Sequence, residues 1–360
     1  MRVLIIDPAG GLWGSERALL DLIGALEGID IAVCCPPDTP LQETLEKSGT
    51  PVFPLFIADL HQRSRMQRLR AALGVFRACR AFRPNVVYVN QAGAYRVVLQ
   101  AACLLDLPIV CHVRIFEDAD YLARRKPTAR RLRGLIAISG AIEEEIRRDN
   151  RLDGIPVYKI YDGYALGCCE PIQAKNAQTP PRIAFVGRIV PIKGVDILMK
   201  ALAIEKVFSE STECLICGDG SKQYLEHLQG INRANEHVRI SWLGYVKNAA
   251  VLLRTCKVLA CPSNREPLGR VILEAWEAGC VPVVFSGAGG SAEIIAAAGG
   301  GIIYEEQTPE CLAHALVEAM ALDHAERERL IENGRAWMKQ HCAPEPYGRA
   351  VAAVLEEACA

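Results

Sequence analysis

Short apolar runs ending on a turn residue alternate with longer amphipathic stretches along almost the whole chain. No other feature constrains the fold as much. VLIID at 3–7, IAVCC at 31–35, VVYVN at 86–90, PIVCHV at 108–113, LIAIS at 135–139 and VYKI at 157–160 have the length and β-branched content of buried strands, with helical patterns between them. Strand and helix in alternation build βαβ units, hence a parallel sheet covered on both faces. A polar, proline-containing stretch, PIQAKNAQTPPR at 171–182, breaks the pattern. It restarts at IAFVG (183–187) and runs on through ECLICG (213–218), VRISWLG (238–244), VLACP (258–262), VPVVF (281–285) and GIIY (301–304). From Pro309 onward the chain reads as helix, with a break at Cys342 to Pro346. A chain of 360 residues exceeds a single typical core. The expectation is therefore α/β: two Rossmann-like doubly wound domains, 1–170 and 182–344, joined by a linker at 171–181, with a last helix near 345–360 packing back on the first domain. Ligands of such sheets sit beyond the carboxyl ends of the strands, so two facing sheets are expected to hold a site in the crevice between them.

Composition excludes several classes. No apolar run approaches the ~20 residues that span a bilayer, and Met1 leads straight into a strand-like run with no basic leader, so the expected location is cytoplasmic. The fifteen cysteines are odd in number and include the adjacent pairs Cys34–Cys35 and Cys168–Cys169, which suit no ordinary disulfide framework. Cys214 and Cys217 have metal-ligand spacing, but no second pair follows. They read as reduced, buried small hydrophobes, and no metal is expected.

The net charge of −1 hides an uneven distribution: residues 61–133 hold 15 Lys and Arg against 4 Asp and Glu. Such a surplus suits an anionic neighbour, a phospholipid surface or a lipid-linked phosphate rather than nucleic acid, or else it is a solvated face with no partner. Within it, HQRSRMQRLRAALGVFRACRAFR at 61–83 sets Met66, Leu69, Leu73 and Phe76 at helical spacing among arginines. That helix either lies on an anionic membrane, at the inner face of the cell membrane, or turns its apolar stripe to the core.

Candidate chemistry clusters in strand-to-helix loops. Gly10-Gly11 follows the first strand, where backbone N–H groups can approach a phosphate. In FVGRIVPIKG, Arg188 stands just past a strand and Lys193 five residues later, a guanidinium fork and a compact ammonium suited to a diphosphate. In PSNREPLGRVILEAWEAG, Glu266 lies in a loop, Pro267-Leu268-Gly269 makes a turn, and Glu274 falls one to two turns into the next helix. Carboxylates at these places can accept hydrogen bonds from sugar and ribose hydroxyls. Gly289-Gly290 forms a further strand-to-helix turn, with Glu293 opening the helix.

Taken in order, G-R-I-x-x-x-K-G at 187–194, G-D-G at 218–220, L-G-Y-V at 243–246, the Glu266/Glu274 pair with EPLG, and G-G-x-x-E at 289–293 resemble the retaining GT-B glycosyltransferases of family four. In the first half the resemblance rests on GGLWGSERALLDL at 10–22, His112 and the Ser139 turn. It implies a nucleotide-diphosphate sugar donor (UDP-, GDP- or similar) on the second domain and a saccharide or lipid-linked saccharide acceptor on the first. It also implies no cofactor, and retention of anomeric configuration without a metal. By matching position, Arg188 and Lys193 neutralise the leaving diphosphate, Glu266 binds the donor sugar and Glu274 the ribose. Val246 and Gly218 flank the base, while Gly11, Pro267, Leu268, Gly269, Gly289 and Gly290 shape the loops that meet the donor. His112 contacts the sugar, and Arg114 serves the acceptor. Two positions depart from the pattern. Leu268 stands where Phe is common, and CHVRIFED lacks the acidic residue that often follows the histidine. A nucleotide-sugar epimerase and a non-catalytic nucleotide-sugar-binding scaffold are the competing readings. The expected setting is bacterial cell-surface polysaccharide or glycolipid synthesis.

Overall fold

The computed structural model describes every residue except 57–63, 166–180, 205–207, 209–211 and 233–237. Most of the polar linker and residues 61–63 of the basic segment therefore lie outside the described residues. The chain divides into two compact units, Met1–Ala165 with His341–Ala360, and Leu166–Gln340.

Among the described residues, unit 1 contains seven strands: β1 (Arg2–Ile6), β2 (Asp30–Cys35), β3 (Val52–Pro54), β4 (Val86–Val89), β5 (Ile109–Val113), β6 (Leu132–Ala137) and β7 (Val157–Lys159). They form one parallel sheet in the order β3-β2-β1-β4-β5-β6-β7. β1 lies inside the sheet, third of the seven, with Val3 opposite both Ile31 and Val86. The order reverses at the β1/β4 boundary, the topological switch point. β3 is the strand not expected from the sequence: it has three residues, ends on Pro54 and sits at the edge, where a proline costs no ladder hydrogen bond.

Local signals set the helix starts. Thr39 accepts from the Gln42 N–H ahead of helix Pro40–Lys47, and Ser139 does the same for Ile142 ahead of helix Gly140–Arg147. Tyr347, Val351, Val354 and Leu355 of helix Pro344–Cys359 share one core with Leu19 and Leu22 of helix Gly14–Ala25 and with Val3 and Ile5 of β1. Each such fully buried aliphatic side chain contributes about 1.5–3 kcal/mol, which fixes the last helix to the first unit.

Unit 2 repeats the plan with β8 (Arg182–Val186), β9 (Glu213–Cys217), β10 (Arg239–Gly244), β11 (Val258–Cys261), β12 (Val281–Phe285) and β13 (Ile302–Tyr304). The order is β10-β9-β8-β11-β12-β13, all parallel, with the switch point at β8/β11. Ile183, Phe185, Leu198, Ile216, Val283 and Leu316 belong to its core. Cys214 and Cys217 sit three apart on β9 and so face opposite sides of the sheet, which keeps their thiols from converging on one ion. Burial pushes the Cys217 thiol up to about 12. Among the described residues every cysteine is free, and no group of His, Cys, Asp and Glu stands ready to hold a metal.

Helix Arg65–Phe82 turns three of the four large apolar residues of its stripe outward. Ala71, Ala72, Val75, Ala78 and Cys79 make its buried face, while Met66, Leu69 and Leu73 are 80%, 66% and 44% exposed. The core-facing alternative therefore fails for Met66, Leu69 and Leu73, while Phe76 is half-buried: small residues let the helix lie close, and those three large ones are left outside. No helix among the described residues is long and apolar enough to cross a membrane.

Candidate active site

Five loops at the carboxyl ends of the unit 2 strands are tied to one another. Ile189, beside Arg188 after β8, donates to the Asp219 carbonyl at 2.8 Å and bridges to Gly220, so the loop after β9 is held against it. The Gly218 N–H donates to the Gly244 carbonyl at 2.8 Å, joining the end of β10, and Val246 follows half-buried two residues on. Lys193 closes the single helical turn Pro191–Lys193, and Gly194 follows with φ +68°. A Cβ on Gly194 would stand 2.1 Å from the Pro262 carbonyl oxygen, so only glycine lets this loop rest on the end of β11. The Asn264 N–H then donates to the Ile192 carbonyl at 2.9 Å.

These contacts bring Lys193 to Glu266 across 73 positions of sequence. The Nζ to Oε2 distance is 2.5 Å, and Ser263 Oγ donates to the same oxygen at 3.2 Å. Glu266 is 8% exposed, so its charge stays compensated by the ammonium rather than by water. Its backbone is fixed as well: Glu266 N–H donates to the Ala288 carbonyl at 2.6 Å and its carbonyl accepts from Gly290 at 2.9 Å. A Cβ on Gly290 would lie 2.0 Å from the Pro267 carbonyl oxygen. Gly289-Gly290 is thus the seat on which the Glu266 loop rests. Arg188 differs from Lys193: it is exposed, and its side chain has no hydrogen-bond or ion-pair partner among the described residues.

Helices Arg270–Ala278 and Gly290–Ala298 begin at these loops, directly after Gly269 and Gly289. Their positive dipole ends favour an anion. Leu268 is buried at 3% exposure and makes part of the loop's apolar underside. Glu274 lies half-buried in the second turn of its helix, and Glu293 in the first turn of the next. The arrangement offers one uncommitted guanidinium, an ammonium shared with a buried carboxylate, and two helix N-termini, a donor set suited to a diphosphate. Ser263, which orients Glu266, went unnoticed in the sequence; its signal was a hydroxyl three residues before the carboxylate.

Gly11 and His112 belong to unit 1. Gly11 lies half-buried on the loop after β1. His112, at the end of β5, is fully buried. Its Nδ1 meets Tyr88 Oη at 2.6 Å and Arg114 Nη2 at 3.2 Å. Arginine can only donate, so Nδ1 accepts and the proton sits on Nε2, 3.8 Å from Asp162 Oδ1. Burial, reinforced by the neighbouring guanidinium, holds this imidazole well below its usual range and therefore neutral. Arg114 is equally committed. Its Nη1 reaches both Asp162 oxygens at 2.6 Å, Nε the Asn90 carbonyl at 2.9 Å and Nη2 the Asn90 Oδ1 at 2.9 Å. Asn90 in turn donates to Asp7 at 2.6 Å. Burial places the sugar-contact candidate His112 inside this network, where it bears on Arg114.

Residues 14–155 match the family model described as "Glycosyl transferase 4-like domain" and residues 170–337 the one described as "Glycosyl transferases group 1". An uncharacterized glycosyltransferase of Methanocaldococcus jannaschii is 32% identical over 157 residues, 42% of this chain and 39% of that protein. A glycogen synthase of Thioalkalivibrio sulfidiphilus is 32% identical over 169 residues, 43% of this chain and 34% of that protein. The matched part of the chain thus spans well under half the length of these curated relatives. Among solved structures, Anabaena Alr3699/HepE in complex with UDP and glucose has a TM-score of 0.82 at 21% identity, covering 99% of each chain. Sucrose-phosphate synthase of Thermosynechococcus elongatus has a TM-score of 0.77 at 17% identity, covering 99% of this chain and 98% of that one. At such identities the likeness is one of fold. Residues 14–155 and 170–337 thus each match a glycosyltransferase model, in chain order, and the chain shares the GT-B fold over its whole length.

Proposed function

We propose that the protein is a retaining, metal-independent glycosyltransferase. In this reading unit 2 holds a UDP-, GDP- or similar nucleotide-diphosphate sugar, and unit 1 holds a saccharide or lipid-linked saccharide acceptor, in the synthesis of bacterial cell-surface polysaccharide or glycolipid. The observation that carries the reading is the uncommitted Arg188 standing on the same set of tied loops as the Lys193–Glu266 pair. The UDP and UDP-glucose bound in the crystals of Alr3699/HepE support a nucleotide-diphosphate donor.

The chemistry follows from the charges. A diphosphate entering the loops displaces Glu266 as the partner of Lys193 and takes a second contact from Arg188. Glu266, still held by Ser263, turns its freed oxygen to a sugar hydroxyl, and Glu274 accepts from the ribose. Gly218 and Val246 flank the base, while Leu268, Gly269 and Gly289 offer the diphosphate backbone N–H groups beside two helix N-termini, on the seat that Pro267 and Gly290 shape. The bond between the anomeric carbon and the diphosphate oxygen then breaks, its electron pair leaving with the diphosphate. The acceptor oxygen bonds to the same face of the carbon, and its proton passes to a leaving phosphate oxygen. Two charge-assisted contacts of about 1.5–3 kcal/mol each, made more strongly to the departing charge, account for roughly two to four powers of ten in rate. His112 holds Arg114, and through it Asn90, in place beside the acceptor. Gly11 leaves the loop after β1 open to approach.

Release of UDP from UDP-glucose tests the roles. Arg188→Ala and Lys193→Ala should each lower the rate by about ten- to a hundredfold. Near-normal turnover by either variant refutes the assignment.

A lipid-linked acceptor fits the outward-facing Met66, Leu69 and Leu73, which stand beside Arg65, Arg68 and Arg70 on helix Arg65–Phe82. That combination suits peripheral attachment to an anionic membrane surface.

A further inference from the structure

Unit 1 has a recess of about 390 Å³ at its own switch point, large enough for a small organic ligand. Ser15 lines it from the start of the first helix, Gln91 from the loop after β4, and Ile115 and the helix Glu117–Ala123 from beyond β5. The question is which acceptor chemistry such walls recognise.

Two of the three arginines that border the recess are already paired with carboxylates, and the third, Arg125, is turned onto Tyr121. Arg114 is bound to both oxygens of Asp162, Arg124 lies 2.7 Å from Asp120, and Arg125 donates to the Tyr121 carbonyl. Three carboxylates, Glu117, Asp118 and Asp120, line the same walls. A phosphate entering here would have to break one of the two ion pairs or draw Arg125 off Tyr121, and it would face the carboxylate of Glu117, unpaired among the described residues. What the walls leave unengaged is of another kind. Glu117 is exposed and without a partner among the described residues, so it presents carboxylate oxygens. The Gln91 amide nitrogen is spent on Glu16 at 2.7 Å and Ser15 at 3.2 Å, which aligns its carbonyl as a further acceptor. Ile115, 47% exposed, adds an apolar surface beside them. Acceptor oxygens next to an apolar side chain complement a molecule that has hydroxyl donors on its edge and C–H groups on its face.

We propose that this recess binds the neutral saccharide portion of the acceptor, with Glu117 and Gln91 accepting from its hydroxyls and Ile115 against its C–H face, and that it excludes a phosphorylated sugar. The proposal rests on the glycosyl-transfer reading and narrows its acceptor class.

Saturation-transfer NMR on the full chain tests it. The probes are the methyl glycosides of glucose, galactose, mannose and N-acetylglucosamine, together with glucose 6-phosphate and mannose 6-phosphate, and UDP is titrated into the same samples. At least one neutral glycoside should bind more tightly than either sugar phosphate. Glu117→Ala and Ile115→Ser should each weaken it by about tenfold or more, leaving UDP affinity unchanged. Both positions are solvent-facing, and an unchanged melting temperature confirms folding. Tighter binding of a sugar phosphate, glycoside binding indifferent to both substitutions, or no glycoside binding while UDP binds would each overturn the proposal. Failure of UDP itself to bind would instead bring down the glycosyl-transfer reading on which it stands.

Discussion

Replacing Glu266 by glutamine should tighten the binding of UDP while destroying transfer. Lys193 and Glu266 are 2.5 Å apart with side chains 19% and 11% exposed, so the pair is largely shielded from water. A charge-assisted contact in such a setting contributes about 1.5–2 kcal/mol net. A diphosphate must displace that contact before Lys193 can hold it, and it must also approach the carboxylate that Lys193 gives up. Glutamine keeps an oxygen for the Ser263 hydroxyl, nearly the same volume and the backbone bonds to Ala288 and Gly290, but it removes the competing charge. The UDP dissociation constant should therefore fall by about tenfold, the equivalent of about 1.4 kcal/mol. Turnover of UDP-glucose should drop by about a hundredfold or more, because the carboxylate assigned to the sugar is gone. Isothermal titration with UDP at fixed pH and ionic strength reads the first effect, and UDP release the second. An unchanged or weakened UDP affinity in the folded variant would mean that Lys193 is not handed from the carboxylate to the diphosphate.

Other substitutions probe separate parts of the account. Burial raises Asp118 to about 6 against a usual 3.8, so its ionised form is disfavoured in the folded state. A raised carboxylate supports folding fully below pH ~3.8 and loses that contribution as pH climbs to about 6. Asp118→Asn keeps an oxygen for the Arg114 and Ile115 N–H groups and should gain about 2–3 kcal/mol on the wild type between pH 4 and pH 7 in urea unfolding. A pH-independent difference contradicts this. Gly290→Ala should cost about 2–3 kcal/mol and loosen UDP binding, since its Cβ meets the Pro267 carbonyl at 2.0 Å; a melting temperature equal to the wild type would show that the loops separate freely. The chain should co-sediment with phosphatidylglycerol vesicles more than with phosphatidylcholine vesicles, and Met66→Glu with Leu69→Glu should abolish the excess. Equal binding to both lipids would remove the membrane assignment.

The sheets were legible in the sequence because buried parallel strands are unbroken apolar runs, and VLII, VVYV and VPVVF can hardly be anything else. Val52–Pro54 escaped because three residues at an edge carry no such signature. In the second unit, residues spaced by loop geometry, such as Arg188, Lys193 and the Glu266 turn, could be read locally, since each stands just past a strand. What could not be read was that Lys193 meets Glu266, a contact made by loop tethering through Gly194 and Gly290 rather than by spacing. The first unit was harder for the same reason. Asp7, Asn90 and Asp162 each follow a strand, but only the parallel order of β1, β4 and β7 within one sheet makes them converge around Arg114. The depth of His112 and the outward turn of Met66 are likewise matters of packing, decided by which neighbours are small.

The central claim, that a diphosphate docks on Arg188 and Lys193 in unit 2, is tested most directly by a crystal structure of the complex with UDP. The account predicts terminal phosphate oxygens about 2.7–3.0 Å from both side chains, with Lys193 drawn away from Glu266. Arg188 directed into solvent and an undisturbed Lys193–Glu266 pair beside bound UDP would contradict it.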